Sequence, residues 1–130
     1  MTYGKLNIEK WHTICSDLKE LYFFSLVDTG SLIFTIRDST HKYEFFFEKF
    51  GPYMVVDEAL RSDDLKVTDP VGWTFIIKDS DIIPLFNPGA INVFCPSETL
   101  THYVIGTYDS GLEILADKEP VIRKYLIEKE

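Results

Sequence analysis

Thiols are scarce in this chain: Cys15 and Cys95 are its only two cysteines, too few for the disulfide framework that holds small secreted domains together. There is no Gly-rich loop running into Gly-Lys-Ser or Gly-Lys-Thr, so the usual phosphate cradles are missing. Gly-x-Ser-x-Gly is absent as well, which removes the strained serine elbow of the hydrolases. No apolar run approaches the ~18 residues of a membrane span; the longest blocks, Tyr22–Phe24 and Phe45–Phe47, are strand-sized. Met1–Lys10 carries no apolar stretch suited to a signal peptide. The expected setting is a reducing cytoplasm, with both thiols free.

Cations are also in short supply. Thirteen Lys and Arg face 21 Asp and Glu, for a formal charge of −8. A surface of that sign repels phosphate backbones and anionic lipid headgroups, so neither nucleic acid nor membrane is an expected partner. It attracts and steers the basic faces of other proteins.

What the chain does have is apolar and aromatic bulk. Its 130 residues are 45% hydrophobic and 15% aromatic, with ten Phe, seven Tyr and two Trp. That suffices for one core and places residues 1–130 in a single domain. From Asn7, a fair N-cap, Ile8, Trp11, Ile14, Cys15, Leu18 and Leu21 recur at spacings of three and four, which predicts an amphipathic helix. From Tyr22 the period becomes two. Tyr22–Val27, Ser31–Arg37, Lys42–Glu48, Tyr53–Val56, Trp73–Lys78 and Ile91–Cys95 read as strands, as do His102–Tyr108 and Leu112–Ala116 around Asp109-Ser110-Gly111. Asp57–Pro70 reads as a short helix or ordered loop and Asp79–Gly89 as a turn. Asp117 is positioned to cap a closing helix with Val121, Ile122, Tyr125 and Leu126 on its apolar stripe. The expected fold class is therefore α+β: a curved, largely antiparallel meander of about six to eight short strands with an N-terminal and a C-terminal helix.

Four apolar residues, Ile33, Phe46, Ile76 and Val104, fall out of phase with the core alternation. They imply an apolar outer side of the sheet that needs a cover, and the helix expected from Lys118 is the intrachain candidate.

Catalytic and metal-binding constellations are thin. Cys95, His102 and Asp109 are the elements of a cysteine triad without the helix N-terminus that would lower the thiol pKa. His12 and Cys15, three apart, match no familiar zinc spacing, and the Asp79-x-Asp81 pair lacks further ligands at loop spacing. No catalytic residue, metal or cofactor is assigned. In size, charge and layout the chain is similar to the small acidic α+β proteins with which bacteria and phages neutralise toxins or defence enzymes. The likeness includes no shared motif, so it carries no residue's role with it.

Half of the net charge lies in Asp57–Asp81, where seven acids face three bases. The leading expectation is a protein-binding inhibitor or immunity-type (antitoxin) module. It presents Asp57, Glu58, Asp63, Asp64, Asp69, Asp79 and Asp81 to a basic toxin or nuclease, with Tyr53 and Trp73 as aromatic anchors. The alternative is a small-molecule-binding domain or enzyme whose aromatic face (Phe34, Tyr43, Phe45, Phe47, Trp73, Phe75) lines a pocket. A cavity holding His102 or a strand carboxylate is its expected sign. A structural homodimer is the third possibility.

Overall fold

A computed structural model describes residues 7–56, 72–78, 80, 82–83 and 100–127. Nine strands form two antiparallel sheets: β1 (Ile8–Lys10), β2 (Tyr22–Asp28), β3 (Leu32–Arg37), β4 (His41–Phe47), β5 (Tyr53–Val56), β6 (Thr74–Ile77), β7 (Thr101–Gly106), β8 (Gly111–Ala116) and β9 (Val121–Leu126). Sheet A has the order β1-β6-β7-β8-β5, and sheet B the order β2-β3-β4-β9. Among the described residues no helix is long and apolar enough to cross a membrane.

The α+β expectation is overturned, because neither expected helix exists among the described residues. The first failure has a local cause. Thr13 and Ser16 sit within the 3–4 spacing and offer the backbone other hydrogen bonds than a helical ladder. Ser16 Oγ accepts from the Thr13 amide at 2.7 Å and donates to the Trp11 carbonyl at 2.8 Å, while Thr13 Oγ1 accepts from the Cys15 amide at 3.1 Å. Thr74 Oγ1 also donates to the Trp11 carbonyl at 2.7 Å, tying the segment to β6. The result is a short strand, β1, followed by a turn that buries Trp11, Cys15 and Leu21 and leaves Ile14 exposed.

The second failure has a non-local cause. Val121, Ile122, Tyr125 and Leu126 fit a helical stripe and a strand equally well over so short a window. The free edge of β4 decides between them. Residues 121–126 pair with it in unbroken register, from Phe46↔Val121 to His41↔Leu126. The chain's end thus extends sheet B instead of covering a sheet.

The period-two readings hold for the seven strands from β2 to β8, within a residue or two at their ends. The expected strand Ile91–Cys95 lies outside the described residues. The β3–β4 turn is organised by Asp38, whose carboxylate accepts from the amides of Thr40 at 2.9 Å and His41 at 2.8 Å and from the Tyr43 hydroxyl at 3.0 Å. In the β7–β8 turn, Asp109 accepts from the Phe23 amide at 3.1 Å and the Thr107 hydroxyl at 2.8 Å. Burial alone would raise both carboxyls, but these hydrogen bonds outweigh it and hold both below the usual carboxylate range.

The sheets share one core. Leu32, Phe34, Ile36, Tyr43, Phe45 and Phe47 from sheet B meet Tyr103, Ile105, Leu112, Ile114 and Ala116 from sheet A. Trp11 bridges the layers, 6.1 Å from Phe45 and 4.7 Å from Tyr103 between ring centroids. Its indole N–H donates to Glu119 Oε1 at 2.9 Å. Gly72, at φ +71°, lies so close to the Ser16 carbonyl that a β-carbon there would overlap backbone, and only glycine fits.

The phase of β6 reverses the expectation. Ile76 packs on the shared core, whereas Phe75 and Ile77 join Val104 and Ile8 in a second apolar cluster on the outer side of sheet A. Sheet A is therefore apolar on both faces. Of the four out-of-phase residues, Ile76 belongs to the shared core, Val104 to the outer cluster of sheet A, and Ile33 and Phe46 to the outer face of sheet B.

Two predictions follow from this packing. Phe45 is fully buried, so Phe45→Ala is expected to cost about 3–5 kcal/mol in urea unfolding. Asp38 and Asp109, with folded pKa values below their unfolded ones, contribute stability above the ordinary carboxylate pKa, and lose it as pH falls below about 4. The Asp38→Asn/Asp109→Asn double variant should show a flatter acid limb when melting temperature is followed from pH 6 to 2.5.

Candidate functional site

The acids expected to face a partner, Asp57, Glu58, Asp63, Asp64, Asp69, Asp79 and Asp81, lie outside the described residues. The two aromatic anchors lie within them, and their own chain engages both. Tyr53 donates its hydroxyl to Asp28 Oδ2 at 2.9 Å, a bond that raises the phenol pKa, and its ring meets Phe50 at 5.7 Å. Trp73 is half-buried, donates its indole N–H to the Leu18 carbonyl at 2.7 Å, and stands edge-on to Tyr108 at 5.1 Å.

The cysteine triad does not assemble from what is described. His102 lies near the start of β7 and Asp109 in the turn beyond its other end, and Cys95 is outside the described residues. Cys15 is fully buried, and desolvation, with a further push from Asp38, raises its thiol to about 12. It acts as a small hydrophobe, not as a thiolate, while His12 points to solvent. Among the described residues no group of three His, Cys, Asp or Glu is placed to hold a metal ion.

One polar relay does form, on the outer side of sheet A. His102 faces Leu115 in the β7–β8 register and Glu113 faces Val104, so His102 and Glu113 are diagonal neighbours on one face. His102 Nε2 lies 2.8 Å from Glu113 Oε1, with both side chains buried. On the ring's other side, Nδ1 lies 2.8 Å from Ser80 Oγ. Ser80 Oγ already accepts from the amides of Ile82 and Ile83, each at 3.1 Å. Its hydroxyl proton is thus the one directed at Nδ1, which places the imidazole proton on Nε2, donating to Glu113.

A pocket of about 90 Å³ adjoins the relay, lined by Pro52, Tyr53, Met54, Ile82, His102, Glu113, Ile114 and Leu115. It differs in place and size from a metabolite pocket in the aromatic core. Phe34, Tyr43, Phe45 and Phe47 are buried between the sheets, and 90 Å³ falls well short of the ~300 Å³ at which drug-sized sites begin. Ser80 is not among the lining residues, and its oxygen is occupied as a cap for residues 82 and 83. The relay therefore resembles a serine triad in connectivity without presenting a nucleophile. What it does is fasten the turn at Ser80 to the middle of sheet A. The sequence points to His102 and to an unspecified strand carboxylate. Ser80 carried no signal, because the contact joins residues 22 apart in the chain.

The outer face of sheet B is exposed along its two edge strands, while Thr35 at its centre is buried. Its register lays side chains out in rows across the four strands. Val27, Ile33, Phe46 and Val121 form an apolar row. Beside it runs a polar row of Ser25, Thr35, Glu44 and Arg123, and beyond that a row of Tyr22, Arg37, Lys42 and Tyr125. Phe24, at the bulge of β2, lies under Lys42 Nζ, 4.1 Å from the ring centroid. Six of the nine exposed large hydrophobics among the described residues, Tyr22, Phe24, Val27, Val121, Tyr125 and Leu126, lie on the two edge strands of this sheet. Tyr108, a seventh, meets Tyr22 at 5.4 Å. The face is also locally basic, since Arg37, Lys42 and Arg123 oppose only Glu44.

No family model, no curated protein and no solved structure matches this chain. The assignment of a role rests on the geometry alone.

The relay makes a stability prediction. His102→Ala removes a partner from Ser80 and from buried Glu113, and is expected to cost about 2–4 kcal/mol. Glu113→Gln keeps an acceptor for Nε2–H and should cost less. Chemical denaturation of the two variants beside the parent protein checks the order.

Proposed function

We propose that this chain is a protein-binding module whose docking surface is the outer face of sheet B. The observation that carries this reading is one continuous apolar row, in which half-buried Ile33 and Phe46 join exposed Val27 and Val121 across all four strands. Solvated sheet faces ordinarily alternate towards polar side chains, and a contiguous apolar patch with a polar and aromatic surround has the composition of a binding site. Tyr22 and Tyr125 supply large amphipathic contacts, and Arg37, Lys42 and Arg123 supply cations in excess of the face's one carboxylate, Glu44.

The excess of cations there calls for a partner surface that carries carboxylates around apolar side chains. An inhibitor or immunity-type role remains part of the proposal, since a module that binds without chemistry acts by covering or bridging. The basic toxin or nuclease expected at Asp57–Asp81 rests on charge, and the acids that would meet it lie outside the described residues. The small-ligand reading has one point in its favour, the presence of His102 and Glu113 on a pocket wall. A volume of 90 Å³ limits any occupant to a few atoms, about three waters' worth.

Charge-bearing substitutions on the exposed face provide the test. Val27→Lys with Val121→Glu should leave the melting temperature within a few degrees, because both side chains are exposed. Proteins recovered by native-host affinity capture with the parent chain should be lost with this variant and retained with Asp63→Asn/Asp64→Asn. Identical capture by parent and face variant overturns the docking surface.

A further inference from the structure

Two stacked sheets have four edge strands, and the edges of this fold are unequal. On sheet A, β1 and β5 are short, at three and four residues. On sheet B, β2 carries a bulge between Phe23 and Ser25, and its Phe23 amide is taken up by Asp109. Brevity and bulges are the usual devices that keep an edge from pairing. The remaining edge, β9, has neither. It runs six residues in unbroken register with β4, and five of the six side chains are exposed.

The ladder determines which backbone groups that edge offers. The Ile127 amide donates to the Thr40 carbonyl at 2.9 Å. In an antiparallel pair, residues alternate between facing the partner strand and facing away. Residues 125, 123 and 121 therefore face β4, and the amides and carbonyls of Ile122, Lys124 and Leu126 face outward. Among the described residues nothing pairs with that side of β9.

Side chains on both faces of β9 repeat one pattern. Val121, Arg123 and Tyr125 lie on the outer face, and Ile122, Lys124 and Leu126 on the other. Each face reads apolar, cationic, apolar. On β9 and its neighbour β4, Lys42, Arg123 and Lys124 are opposed by Glu44, which leaves two positive charges on these two strands in a chain of −8.

We infer that β9 is the acceptor for strand addition, and that it takes an extended segment of a partner protein in which two consecutive acidic residues are flanked on each side by apolar ones. This rests on the protein-binding reading and deepens it by naming the contact and the chemistry of the partner. Directly opposed side chains share a face, so one carboxylate meets Arg123 on the outer face and the other meets Lys124 on the inner one. The flanking apolar pairs cover Val121 and Ile122 at one end and Tyr125 and Leu126 at the other.

A second copy of β9 is a poor occupant for the same reason. A two-fold pairing that keeps the faces continuous and engages five of the six residues centres on Arg123 or on Lys124, which sets a cation directly against itself. The charge that invites an acidic strand thus also guards the edge against self-association.

The test uses the full chain and three blocked octapeptides. One has Asp-Asp between pairs of Val, with Thr at both ends; the second has Lys-Lys in place of Asp-Asp; the third has Pro in place of the third Val, whose amide faces β9. The Asp-Asp peptide should bind about tenfold more tightly than the Lys-Lys peptide by fluorescence anisotropy at low salt, and the Pro peptide should not bind. Amide exchange at Ile122, Lys124 and Leu126 should slow on adding the Asp-Asp peptide, with exchange at β1, β2 and β5 unchanged. Lys124→Pro removes an outward amide and, among the described residues, no intrachain hydrogen bond, and should abolish binding. Arg123→Glu/Lys124→Glu, which keeps every amide, should reverse the preference between the Asp-Asp and Lys-Lys peptides whether or not the proline variant folds.

Equal affinity for the two charged peptides, or no change in exchange at the three β9 amides, overturns the inference. A dimer seen by native mass spectrometry and lost in Lys124→Pro also overturns it and gives the edge to a second copy. Capture of the native partner that is abolished by the face substitutions but indifferent to Arg123→Glu/Lys124→Glu leaves the docking face standing and removes strand addition. Indifference to both sets removes the protein-binding reading itself.

Discussion

A β-sheet has two faces, and stacking one sheet on another buries only one face of each. The packing of Phe34, Phe45 and Phe47 against Tyr103, Ile105 and Ile114 settles the inner faces at once. It also fixes the question that the rest of the molecule answers, which is what becomes of the two outer faces. The answers differ. The outer side of sheet A is apolar and buried at Phe75, Ile77 and Val104, and has the His102–Glu113 pair set among those residues. The outer side of sheet B is apolar, aromatic and cationic, and is exposed along both edges.

The buried relay shows how a polar pair is tolerated in such a place. The Ser80 hydroxyl accepts from two amides and donates to His102, which donates in turn to Glu113. A buried chain of this kind stabilises when every member has a partner and is costly when one is missing. It therefore serves well as a fastener between a turn and a sheet. Its Ser80 hydroxyl is engaged as a cap for residues 82 and 83.

Local signals were legible in the sequence. The hairpin turns at Asp38 and Asp109 are held by their own carboxylates, and the alternation of Leu32, Phe34 and Ile36 with Tyr43, Phe45 and Phe47 declares which faces meet. The terminal segments were not legible as strands. Residues 8–21 carry apolar groups at helical spacing, yet Thr13 and Ser16 divert the backbone into side-chain hydrogen bonds. Residues 121–126 suit a helix and an edge strand alike, and only the vacant side of β4 separates the two. The phase of Phe75, Ile76 and Ile77 was misread for a related reason: when both faces of a strand are apolar, alternation no longer says which is inside.

The sequence by itself determined where the chain turns, which aromatic rows form the inner faces, and that the molecule is acidic, because each depends on neighbours a few residues apart or on composition. Tertiary structure alone decided that the fold is two stacked sheets with no helix among the described residues. It also brought Ser80 to His102 and left β9 as an edge without a bulge, with a cation at the centre of each face. Those outcomes depend on pairings between residues distant in the chain, such as Phe45 with Ile122 across 77 positions. No local pattern encodes the competition among possible partners that selects them.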